Sequence, residues 1–187
     1  MRRYTLPLAL LLVTGCGYNT IQRYDEQVSG ARQNIEVQLQ RRADLIPNLV
    51  NTVKGYAAHE EAVFTQVTNA RAGLQGAIQK GDPVEMANAN NELTSALGRL
   101  MVVVEAYPNL KADQQFTGLR DELTGSENRI AVARTDYNNA VQTYNTYIRT
   151  LPQSLTAKVT GAKPREYFEV TTPGARTAPT VDFSKQK

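Results

Sequence analysis

The residue with the plainest chemistry is Cys16, the chain's single cysteine, which follows the small residues Thr14 and Gly15. A lone thiol can form no internal disulfide, and no second cysteine supports a CxxC or zinc framework. It can serve as the nucleophile in thioether formation, because a thiolate is the best side-chain nucleophile near neutral pH. His59-Glu60-Glu61 places an imidazole beside two carboxylates. A metal site normally needs three or four converging ligands, and the HExxH spacing is absent, so a solvated turn or helix start is expected there. Ser126 and Ser154 could be relayed only through His59, the one histidine, which leaves a serine hydrolase unsupported. There is no P-loop and no GxGxxG. Gln38, Arg41, Arg42 and Asp44 cluster just before Pro47. Two readings stand for them: a hydrogen-bonded polar layer that fixes helix register, or a partner or anion site. Tyr137-Asn138 and Tyr144-Asn145 repeat seven residues apart. Their tyrosines fall on an apolar seam, which reads as packing with buried hydroxyls that need partners; a glycan or peptide groove is the alternative.

The elements around Cys16 explain why that thiol would react. Arg2 and Arg3 give a positive start, and Leu6 and Leu8 through Val13 form a short apolar run. Small residues and the cysteine follow, the pattern of a secretory signal. The run is shorter than the roughly 20 residues that span a bilayer; a short retained transmembrane anchor is the alternative. Val13-Thr14-Gly15-Cys16 resembles a lipobox, the cleavage and lipidation site of bacterial lipoproteins. That resemblance implies that residues 1–15 are removed and that Cys16 carries a diacylglyceryl group. Gly17, not aspartate, follows the cysteine. In a Gram-negative host this favours the periplasmic face of the outer membrane.

Beyond a short linker at 16–20 the chain reads as helices. Ile21, Tyr24, Val28, Ala31 and Ile35 are spaced alternately three and four apart, an a/d stripe that Leu45, Leu49 and Tyr56 continue. Gln38 and Arg42 interrupt it, and a shift of the stripe would move them off the core. Pro47 predicts a kink near Ala43–Asp44 or a restart. Gly55–His59 is the expected turn. A second helix is expected from about Glu60 to Gln79, closed by Gly81. Asp82 caps a third, with Pro83 at its first position and Glu85 as capping-box partner. Pro108 stops it. Asp113 caps the longest helix, whose seam runs unbroken from Phe116 through Ser126, Tyr137 and Tyr144 to Leu151. At about 1.5 Å per residue the first and last helices reach roughly 50–60 Å and the middle two about 30 Å. The expected fold is all-α: an elongated antiparallel four-helix bundle over residues 21–152, with two long and two shorter helices. Residues 153–187 read as an irregular tail, in which Tyr167–Val170 is either a short strand or a segment packed on the bundle.

The composition fits one ordinary globular domain: 187 residues, 41% hydrophobic and 21% charged. The formal charge is +3, and removal of Arg2 and Arg3 brings it near zero. No electrostatic case for nucleic acid follows.

The string from Gln38 to Glu60, QLQRRADLIPNLVNTVKGYAAHE, closely resembles the signature of the LemA family of bacterial envelope proteins. Ala106–Ala112 with Phe116 and Leu119 agrees, as does Glu127–Ala131 through Tyr137-Asn138 and Tyr144-Asn145. The resemblance covers roughly Tyr18 to Pro152. It implies a helical bundle outside the cytoplasm with an N-terminal membrane segment, no cofactor, and no enzymatic activity established for the class. Some members lie beside membrane metalloproteases in genomes, which suggests that class of partner, and a relative takes part in magnetosome membrane formation. The lipobox departs from the transmembrane helix that many members carry. The expectation is a lipid-anchored, non-enzymatic scaffold or adaptor for an envelope partner. Two alternatives remain: a ligand-binding or enzymatic protein using the polar cluster near Arg42 and His59, and a membrane-shaping protein.

Overall fold

The computed structural model describes the backbone of residues 5–169 and the side chains of residues 17–169. The side chains of the signal segment and of Cys16, and the whole of residues 1–4 and 170–187, lie outside the described residues. The fold is all-α, with no strand among the described residues. Two long helices, α1 (Thr5–Lys54) and α5 (Gln114–Tyr147), run together along most of their length. The shorter α2 (Glu61–Lys80) and α3 (Pro83–Glu105) form a hairpin laid on α1. A single turn, α4 (Pro108–Lys111), links α3 to α5, and α6 (Gln153–Thr160) packs back on α1. The bundle expected from the periodicity is therefore present, with two small helices added.

The caps fall where their residue types put them. Gly81 closes α2 at φ 69°, the left-handed region open to glycine. Asp82 then accepts hydrogen bonds from the Val84 and Glu85 amides, with Pro83 in the first turn. The Glu85 carboxylate pairs with Lys80 Nζ at 2.8 Å instead of completing a capping box. Asp113 accepts from the Phe116 amide and starts α5. The helix break falls at 55–60, as glycine placement predicts.

In α1 the buried stripe runs Ile21, Val28, Ile35, then Leu39, Ala43, Ile46, Val50 and Val53. Two consecutive steps of four, 35 to 39 to 43, shift the seam by one residue. The shift takes Gln38 to a half-buried edge, as expected, but leaves Arg42 buried. Nor does α1 restart at Pro47; one helix continues through it. Proline has no N–H for the carbonyl four residues back. That carbonyl, on the fully buried Ala43, instead accepts a 2.8 Å hydrogen bond from Arg71 Nε of α2. Arg71→Met keeps the aliphatic stem and strands the carbonyl, so it is expected to cost about 1–3 kcal/mol, read as a lowered urea midpoint at unchanged slope.

The reading of 153–187 as irregular needs correction. Residues 153–160 are helical, and 162–169 form an extended strap in which Phe168 is buried. The hairpin's turn meets α1 at Arg32, which donates to the Gly81 carbonyl at 3.0 Å. Nearer the N-terminus, α6 and the strap cover what the hairpin leaves bare. The helix escaped notice because Thr156 and Ala157 face inward while Leu155 and Val159 face out, the reverse of the pattern sought.

Candidate functional site

Of the four clustered residues, only Arg42 enters the interior. It is 4% exposed, and its guanidinium joins three helices. Nη1 meets Asn90 Oδ1 of α3 at 2.5 Å and Glu127 Oε2 of α5 at 2.6 Å; Nη2 donates to Thr94 Oγ1 of α3 at 3.1 Å. The Glu127 contact is an ion pair without hydrogen-bond alignment, and Arg42 Nε has no partner among the described residues. Burial pushes the Arg42 pKa down, and the Glu127 charge partly restores it. The others diverge. Arg41 points outward to Glu122 at 3.1 Å, and Asp44 accepts from Gln40 at 2.7 Å on the surface. Gln38 remains at the edge, its Oε1 buried without a partner.

A cleft opens beside Arg42 because α3 and α5 each pack elsewhere and barely meet. It holds about 410 Å³ between Leu97 and Met101 of α3 and Leu123 of α5, with Arg42 and Glu127 lining it and Arg120 contributing a second guanidinium. His59 takes no part: it is exposed in the 55–60 turn, more than three turns of α1 from Arg42. No group of three His, Cys, Asp or Glu converges among the described residues. Buried Ser126 donates back to the Leu123 carbonyl at 2.7 Å, within its own helix.

The Tyr-Asn repeat lines a peptide groove, and the chain's own strap fills it. Each asparagine pairs with both backbone groups of one strap residue. Asn145 accepts from the Arg165 amide and donates to its carbonyl, both at 2.8 Å. Asn138 does the same for Phe168 at 2.9 and 3.3 Å. Seven residues of helix rise about 10.5 Å. Three residues of extended chain span about 10 Å, so the two spacings match. Tyr137 Oη donates to the Glu166 carbonyl at 2.8 Å, and Arg165 clasps Asp25 of α1 at 2.7–2.9 Å.

Burial pushes the Tyr137 hydroxyl up to about 12. The folded chain therefore holds this proton more tightly than the unfolded one. The stability it contributes is complete below the ordinary tyrosine pKa of about 10 and is lost as pH rises towards about 12. Thermal melts through that window should fall more steeply for the native chain than for Tyr137→Phe; parallel curves would contradict the assignment.

Residues 31–183 match the LemA family. The chain belongs to the LemA family. Two relatives named Magnetosome protein MamQ 1 and MamQ 2, from Paramagnetospirillum magneticum, are each 35% identical over 175 residues. That similarity covers 81% of this chain and 64% of the relatives' own length. Protein LemA of Metamycoplasma hominis is 25% identical over 133 residues, covering 71% of this chain and 59% of that protein. The chain thus spans less than two thirds of the curated relatives it matches.

In this LemA-family bundle the polar node was only partly visible in sequence. Arg42 stood out, but Asn90, Thr94, Glu127 and Arg71 did not. The signal was there: Asn90 replaces an apolar residue in the Met86–Leu93–Leu97 seam, and the α5 seam, unbroken in spacing, carries polar Ser126 with Glu127 beside it. Polar breaks on three seams mark one layer where helices stack in register. Among the described residues no helix is long and apolar enough to cross a membrane.

Proposed function

We propose that this LemA-family chain is a non-enzymatic envelope scaffold or adaptor, fastened to a bilayer through acyl chains on Cys16. The observation that carries the reading is how soon the folded body begins. Gly17, the next residue, is already buried, and a Cβ added to it would lie 3.4 Å from Thr156 Oγ1 of α6. A lipid on Cys16 would hold the bundle directly against the membrane, with no free linker to let it swing away. The Val13-Thr14-Gly15-Cys16 pattern supports the lipid, and Gly17 supports the outer membrane if the host is Gram-negative. Relatives named as magnetosome proteins support a membrane setting. The partner is an envelope protein, with a membrane metalloprotease as the class the family suggests.

Cross-linking in intact membranes tests this. The native chain should trap a defined partner that is lost with Cys16→Ser, because the anchor sets the local concentration. An unchanged partner set would contradict the anchored-adaptor reading. A second reading, a carrier of small amphiphiles, is favoured by the cleft beside Arg42 and the unpartnered Nε at its side. Gly98 lines the cleft and a Cβ added to it meets nothing within 4 Å, so Gly98→Leu starts from open space at the cleft's wall and would occupy part of it. Loss of anilinonaphthalene sulfonate binding in that variant would support the carrier.

A further inference from the structure

Helix α6 is built inside out. Its buried residues are Thr156 and Ala157, while Leu155 and Val159 are 58% and 82% exposed; Leu151, expected on the α5 seam, instead lies in the turn before α6 and is 73% exposed. Leu155 and Val159, four apart in the helix, lie in one stripe, with Leu151 just before it. A helix made for water turns such a stripe inward. The place of the exposed stripe is informative. The inner side of α6, through Gln153 and Thr156, is pressed on Gly17, one residue beyond Cys16. Its stretch of sequence is one-sided in charge: between Asp136 and Glu166 there are four basic residues and no acidic one, and Asp25 of α1, near the end of α6, is held by Arg165. Arg149, Lys158 and Lys163 are exposed, and none is in an ion pair among the described residues.

We infer that α6 is a membrane-docking helix: its Leu155–Val159 stripe, with Leu151 of the preceding turn, enters the acyl boundary of an anionic bilayer while Arg149, Lys158 and Lys163 meet the headgroups. An interfacial helix needs these features together: an apolar face, flanking cations and proximity to the surface. The inference rests on the anchored reading only for the proximity of the bilayer. The stripe and the cations belong to the fold itself. Docking at α6 beside the lipid would give the bundle a second point of attachment and so fix its tilt, which a single point of attachment cannot do.

The chain contains no tryptophan, so one introduced indole reports its own depth. Leu155→Trp and Val102→Trp both replace exposed residues, the second on the distant α3. In full-length lipidated chain reconstituted into phosphatidylglycerol vesicles, brominated lipid should quench the indole at 155 and spare the one at 102. If the chain floats with vesicles and neither indole is quenched, the anchor stands and the docking is wrong. If the chain carries no lipid and does not float, the anchored reading fails. The Cys16→Ser chain then tests docking alone: salt-sensitive binding to phosphatidylglycerol vesicles over phosphatidylcholine supports it, and no binding to either overturns it. In that background Val159→Asp should weaken binding by about tenfold or more, since it replaces a buried methyl pair with a charge.

Discussion

Cys16→Ser is expected to move the chain from the membrane pellet to the high-salt wash while leaving its helicity and melting temperature unchanged. Magnitudes decide this outcome. Each buried methylene of an acyl chain contributes about 0.8 kcal/mol, and two chains give a stable anchor where one is marginal. The substitution removes both. What remains is the Leu155–Val159 stripe on α6 with Leu151 beside it, three side chains whose attachment depends on cations that salt screens. If the signal is retained, its apolar run from Leu6 to Val13 is still too short to span a bilayer of about 20 residues' depth. Stability should hold because the described core begins beyond residue 16, at Ile21. A variant that stays in the pellet through high salt would show that protein, not lipid, provides the anchor.

Arg42→Ala is expected to destabilise the fold by about 2–3 kcal/mol, the largest effect among the polar residues. The side chain is almost wholly buried, so alanine leaves a void where the aliphatic stem packed and strips the hydrogen bonds from Asn90 and Thr94. Glu127 moderates the loss, since its side chain is 45% exposed and its carboxylate, whose Oε2 is buried against Arg42, can turn to water. Arg42→Met fills the same space without charge and should cost only about 1 kcal/mol, because a buried ion pair adds little beyond what packing of equal volume supplies. Urea titration of both variants separates packing from charge. A change within about 0.5 kcal/mol for Arg42→Ala would place the residue on the surface, contrary to the structure.

The bundle was legible because its long helices repeat one simple rule. The α5 seam from Phe116 to Tyr144 is visible as spacing alone, and Asp82, Pro83, Gly81 and Asp113 mark ends by chemistry that acts within a few residues. What was hidden depends on partners distant in sequence. Arg71 satisfies a carbonyl freed by Pro47, and no local pattern links them. Glu127 meets Arg42 across 85 positions of chain. The Tyr-Asn heptads were visible as a packed seam with hydroxyls needing partners, a groove being the alternative, but Arg165 and Phe168 as their partners were not, because a strap of Pro, Arg and Glu has no period. Helix α6 was missed for a physical reason: amphipathicity was read as apolar-in, and this helix keeps its apolar side out. The same reversal that hid the element from sequence reasoning points to what it faces.

Intact-mass spectrometry of the chain purified from its own membrane tests the anchoring most directly. The account predicts a chain that begins at Cys16 and carries the added mass of acyl groups. A mass that still includes Met1, or residue 16 found as an unmodified thiol, would contradict it.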